Sequence, residues 1–301
     1  MTIGKNVNEI LDYSKILVDS LGKRTTKEIK QIEYLVFAGM MAYYGDEHAR
    51  EVYEAFKNID FVTAGKDITK SFGSLLIVTP VKEKIKGTNP VAYYAHLYGG
   101  NGDNPVGRVY VSSDSKFNFA DKVEGVTQEV NRVVNAINKT YVKHCGSKLL
   151  RTGLSNRQLF SAQSDLSIFE DSVNALQTGE IMNCILEFAN HDINDPELAS
   201  AVSMISYFRD RECSGLGYEF TKALIRPLYE DDNFNEVLKE SRLSGEVRRV
   251  EDEFDSRAGH GSFEELVQAC EYIEYGSCPD YVLDVNGDKI NTLIKEYKSH
   301  K

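Results

Sequence analysis

The sequence predicts an α+β fold that is mainly α-helical: N-terminal helices with a small antiparallel β-meander, then a larger helical body and a C-terminal β-hairpin. Three observations carry this. Apolar residues recur at three- and four-residue steps through 6–58 and again beyond 121, β-branched and aromatic runs between 75 and 111 are punctuated by glycine, and Asn286-Gly287 separates two extended runs near the end. The change of character suggests one unit over 1–117 and a helical body over 118–301, although no linker separates them and one domain also fits.

Asn6 with Glu9 forms a capping pair ahead of Val7, Ile10, Leu11, Leu17 and Leu21, and Gly22 ends that helix. Thr25 with Glu28 repeats the signal before Ile29, Ile32, Leu35, Val36 and Met40, up to Gly45. Asp46 can cap a third helix with Ala49, Val52, Tyr53 and Phe56 inward. The segments 75–79, 91–98 and 106–111 then read as the meander, joined by turns at Gly87-Thr88-Asn89-Pro90 and Gly99 to Pro105. The second turn lacks the lysine and following helix of a phosphate loop, which favours a hairpin connection.

From Asp121 the residues Val123, Val126, Val130, Val133, Val134, Ile137 and Tyr141 keep a heptad-like rhythm into the mid-140s, a seam that packs on another helix of the same molecule or of a partner. Residues 155–256 read as successive helices. Asp195 is a good N-cap with Pro196 at the first helical position, followed by Leu198, Ala201, Val202, Ile205 and Phe208 on one face. Ser262-Phe263-Glu264-Glu265 reads as a capping box, and the helix it opens buries Phe263, Leu266, Val267 and Cys270. Asp284, Asn286 and Asp288 resemble a calcium loop of the dockerin or EF-hand kind, but Asn-Gly fits a tight hairpin turn better.

Forty-six acidic residues against 35 basic ones give the 301-residue chain a formal charge of −11. That field repels polyphosphate and disfavours sequence-independent nucleic-acid binding. No apolar run approaches the roughly 18 residues that span a bilayer, and polar Asn6, Asn8, Glu9 and Asp12 do not form a signal peptide. Five cysteines, at 145, 184, 213, 270 and 278, are scattered without a disulfide or zinc pattern, which points to a reducing, cytoplasmic setting; no cofactor is expected.

Cys213 follows Arg209 to Glu212 and precedes a second apolar period through Phe220, Ala223 and Leu224. A helix start there would lower a thiol pKa and make the thiolate a nucleophile. His260, between Gly259 and Gly261, could be its base, and Asp280 or Asp284 could orient the imidazole. The order Cys, His, Asp resembles papain-like hydrolases, and Cys213-Ser214-Gly215-Leu216 resembles the cysteine motif of NlpC-type cell-wall peptidases. A buried, structural Cys213 is the competing reading. His191-Asp192 resembles the metal-binding doublet of HD-type phosphohydrolases, with His144 as an upstream partner and an ordinary helix-end histidine as the alternative. Asp46, Glu47, His48 and Glu51 share one helical turn, where acidic residues also suit a solvated helix start.

Every catalytic constellation is incomplete. The expected function is therefore non-enzymatic protein–protein interaction or self-assembly through helical surfaces, with a cysteine hydrolase or transferase second and a metal-dependent phosphohydrolase third.

Overall fold

The computed structural model describes residues 6–23, 25–65, 91–96, 107–135, 143–144, 147–152, 154–158, 164–165, 167–206, 218–275 and 280–300. Among them are eleven α-helices, and the contacts divide the chain into two compact units. The first holds Met1–Val134 and Gln177–Leu216, the second Asn135–Leu176 and Gly217–Lys301. The break expected at 117/118 falls inside the first.

In the first unit α1 (Val7–Ser20), α2 (Lys27–Tyr44) and α3 (Ala49–Lys57) lead into β1 (Ile59–Ala64). The capping residues act locally: Asn6 Oδ1 accepts from Asn8 N at 3.1 Å, and Thr26, rather than Thr25, caps α2 by accepting from Ile29 N at 3.3 Å. Buried side chains surround α2 from Ile29 to Tyr44, the pattern of a helix enclosed by its neighbours. It packs on α1, α3, α4 (Phe119–Val134) and α6 (Pro196–Ser206). Asp195 caps α6 with Pro196 first, its Oδ1 accepting from Glu197 N at 2.8 Å and Leu198 N at 3.0 Å.

The sheet of this unit corrects the predicted fold class. Its order is β1-β3-β2, with β1 parallel to β3 (Gly107–Ser112) from Ile59↔Gly107 to Ala64↔Ser112. Only β2 (Ala92–His96) runs antiparallel to β3. An antiparallel meander is therefore not what forms among the described residues. Glycine-rich turns suggested local hairpin pairing, whereas the strand beside β3 comes from Ile59-Asp60-Phe61-Val62-Thr63-Ala64, more than 40 residues upstream. The expected strand at 75–79 and the loop at 99–105 lie outside the described residues.

The second unit contains the start of α5 (Ser167–Glu187), the short antiparallel strands β4 (Lys143–His144), β5 (Ser147–Thr152), β6 (Ser155–Gln158) and β7 (Ser164–Asp165), and helices α7 (Glu219–Tyr229), α8 (Asp232–Ser244), α9 (Val247–Ala258), α10 (Ser262–Tyr275) and α11 (Asp280–Ser299). Strands thus stand in part of the stretch expected to be helical, and α4 spans Phe119–Val134, with Ile137 and Tyr141 of the expected seam outside the described residues.

The predicted C-terminal hairpin is overturned as well: Asn286-Gly287 lies inside α11. Ile290, Leu293, Ile294 and Tyr297 form a buried stripe with helical spacing, and a Cβ added at Gly287 would lie 3.9 Å from the Leu224 methyls, so tertiary packing overrides the turn propensity. Phe234, Phe254, Phe263 and Tyr297 close the core. Phe254 and Tyr297 stack with centroids 5.2 Å apart, and Phe169 meets Phe263 edge-on at 5.5 Å.

Candidate functional site

Of the candidate catalytic residues chosen from sequence, only His260 and Asp284 have described side chains. Cys213 lies outside them, as do Cys145 and Cys278; the described thiols, Cys184 and Cys270, are buried. His260 stands in the turn between α9 and α10, fully exposed, with Nδ1 3.6 Å from Asp255 Oδ2. Asp255 is engaged with the backbone: it accepts from Gly261 N at 2.6 Å and Phe263 N at 2.8 Å, which makes it the cap of α10. Ser262, the expected cap, instead donates to Ala258 O at 3.0 Å.

Asp280 opens α11 with its side chain outside the described set, and Asp284 is exposed on the same helix. No hydrogen bond or ion pair joins His260 to Asp284 among the described residues. His191 and Asp192 are exposed just after a single 3-10 turn (Phe188–Asn190), where His191 N donates to Phe188 O. Among the described residues no three His, Cys, Asp or Glu side chains gather as metal ligands, a statement that covers 46–51 and 284–288 as well.

A different group of polar residues stands out. Helix α4 is buried nearly all round, and the valines of its seam occupy one side of it. On the other side Glu124, Gln128, Asn131, Arg132 and Asn135 follow one another at helical spacing, and all but Arg132 are buried. Neighbouring helices hold this face. Tyr44 of α2 donates to Asn131 Oδ1 at 2.5 Å, and Asn131 Nδ2 donates to Gln177 Oε1 of α5 at 3.3 Å. Thr127 donates back to Val123 O at 2.7 Å.

Arg132 Nη1 donates to both oxygens of Glu129, at 3.1 and 3.4 Å, and Lys122 at the start of the helix meets Glu28 at 2.7 Å. Gly125 brings α4 against β2, where an added Cβ would lie 2.4 Å from Val91 Cγ1.

Gln128-Glu129-Val130-Asn131-Arg132 has the spacing at which a zinc-peptidase helix carries two imidazoles around a glutamate. Here an amide and a guanidinium hold the flanking places, and the guanidinium sits on the glutamate. That arrangement neutralises Glu129 and does not leave it as a free base. The sequence does contain the signal, a polar row at 124, 128, 131 and 135, but such a row reads as a solvated face until its burial is known.

Comparison with protein-family models, curated proteins and solved structures finds no match to this chain.

Proposed function

We propose that this chain is a non-enzymatic interaction protein of the cytoplasm, and that it binds another protein chain, or a second copy of itself, through the exposed side of α7, α10 and α11. One observation carries the reading. These three mutually packed helices each leave a large apolar side chain in solvent, Phe220 at 67 %, Tyr272 at 63 % and Val285 at 64 % exposure. Aromatic anchors of this kind dominate the energetics of protein interfaces, and burying each contributes about 1.5–3 kcal/mol.

The polar interior supports the same reading from the other direction. Its charged pairs, Glu129 with Arg132 and Glu170 with Arg242, are matched internally. No described helix is long and apolar enough to cross a membrane.

Light scattering over a concentration series tests self-association, and a photo-crosslinker at position 220 captures a different partner. Phe220→Asp with Tyr272→Asp should abolish whichever association is found while leaving the fold intact. An association that survives both substitutions, or none by either method, refutes the proposal.

The cysteine-hydrolase reading keeps one favourable observation, the solvent-accessible His260 with a carboxylate beside it. Selective labelling of Cys213 by a thiol reagent at mildly acidic pH would revive it, and equal labelling of all thiols would end it.

A further inference from the structure

Glu33 lies in the second turn of α2 at 1 % exposure. Its Oε2 accepts one long bond, from Thr25 Oγ1 at 3.4 Å, and its Oε1 has no hydrogen-bond partner. The cation that acts on it most strongly, Lys23, is committed elsewhere: its Nζ donates to the carbonyl oxygens of Phe56 and Ile59. Phe56 belongs to the last turn of α3, whose carbonyls share the single cap N–H of Asn58, and Ile59 begins β1. A single ammonium therefore ties the α1–α2 connection to the α3–β1 junction.

The other charges near Glu33 have their own partners. Lys30 pairs with Asp19 at 2.6 Å, and Asp19 also accepts from Tyr34 at 2.8 Å. Asp60 on β1 lies 3.7 Å from Arg108 on β3, and Lys122 of α4 holds Glu28 one turn earlier on α2. On α1, Lys15 is held by Asp195 and Glu197 of the α6 start. None of them donates to Glu33 Oε1.

A buried carboxylate oxygen without a donor is costly, and a proton on it removes the charge. We propose that Glu33 and Lys23 form a proton-operated latch: while Glu33 is neutral, Lys23 clamps the Phe56 and Ile59 carbonyls, and once its carboxyl loses the proton to solvent, the carboxylate draws the ammonium away and frees the α3–β1 junction. The O–H bond of the carboxyl is the only covalent bond broken, and Lys23 stays an ammonium throughout. Burial pushes Glu33 up to about 7 against the pull of Lys23, which sets the release close to neutral pH. Because β1 is the parallel partner of β3, the junction it frees is the first rung of the sheet, where Gly107 N donates to Asn58 O.

The test follows the side-chain carboxyl carbon of Glu33 by NMR in the full chain, assigned through its own backbone, together with amide exchange at Asn58 to Phe61. The carboxyl should titrate near neutrality, and over the same range exchange at the junction should quicken beyond its intrinsic pH dependence. One-proton linkage limits that gain to about tenfold per pH unit. Glu33→Gln should hold the junction protected at every pH, and Lys23→Met should leave it open at every pH. A Glu33 carboxyl that titrates in the ordinary glutamate range overturns the latch. So does junction exchange that ignores the Glu33 titration, a reading that needs no variant to fold.

Discussion

The pair Glu170 and Arg242 offers the sharpest test of how the second unit is held. Arg242 is wholly buried at 0 % exposure and Glu170 is at 2 %. The guanidinium donates through Nε to both carboxylate oxygens, at 2.9 and 3.0 Å, and through Nη2 to Glu170 Oε1 and to Asn174 Oδ1, the latter at 3.1 Å. Leu154 N gives the carboxylate a further bond at 3.1 Å. Removing either partner strands a charge in a dry interior, which costs about 3–5 kcal/mol. Arg242→Met and Glu170→Gln should each lower stability by that amount.

The double variant strands no charge, so it should cost no more than about the worse single change, a coupling of about 3 kcal/mol. Native-state hydrogen exchange of the α5 amides from Phe169 to Leu176 reads the second unit directly and needs no two-state unfolding of the whole chain. Single costs that add to within about 0.5 kcal/mol would show that the pair is not coupled and that the packing around it, not the ion pair, stabilises the site.

Gly39→Ala should cost about 1–3 kcal/mol, because its Cβ would lie 2.3 Å from Ile185 Cγ1; Gly39→Ala combined with Ile185→Ala should lose less than the two separate changes summed, by urea midpoint. Glu33 makes stability depend on pH with an unusual sign. Its folded value, about 7, is above the ordinary 4.5, so its contribution is complete below pH 4.5 and is lost as pH rises through 7, a fall of about 3 kcal/mol that Glu33→Gln should flatten. Lys23, lowered by burial, acts in the opposite sense in the alkaline range, where stability should rise again as pH approaches its unfolded value. Asp195→Ala should cost about 1–2 kcal/mol at neutral pH through the lost cap of α6 and the Lys15 ion pair. The Lys15 hydrogen bond lowers the Asp195 carboxyl, so the difference from the unsubstituted protein should shrink as the medium is acidified through the folded-state value, read from thermal midpoints.

Some helix starts were legible in this sequence because a cap acts over three residues: Asn6 and Asp195 bond the amides that their positions predict, whereas Thr25 and Ser262 cede the cap to Thr26 and Asp255. Pairing partners were not. Ile59–Ala64 is rich in β-branched and aromatic residues, but nothing local names its partner, and the rung it makes with β3 depends on a loop closed over more than 40 residues. Asn286-Gly287 fails for a related reason, since a turn signal worth about 1 kcal/mol competes with a helical stripe of Ile290, Leu293, Ile294 and Tyr297 that buries far more apolar surface. Of the candidate site, the chain order of sulfur, imidazole and carboxylate was visible, but not the fact that Asp255, five residues before His260, is the acid beside it.

The valine seam of α4 shows how a correct periodicity can still misdirect a functional reading. Val123, Val126, Val130, Val133 and Val134 do line one side of the helix, but they are buried inside the first unit. A partner cannot use a surface that its own molecule already covers. The polar residues opposite are buried as well, so the helix presents neither a free apolar stripe nor a solvated one. Burying Glu129 is tolerable because Arg132 neutralises it one turn away, and burying Asn131 is tolerable because Tyr44 and Gln177 meet both ends of its amide. Such a network fixes how α2, α4 and α5 register on one another. By the same reasoning, the proposed association would have to use large apolar side chains that remain in water, which among the described residues are Tyr13 and Ile16 on α1 and Phe220, Tyr272 and Val285 on α7, α10 and α11.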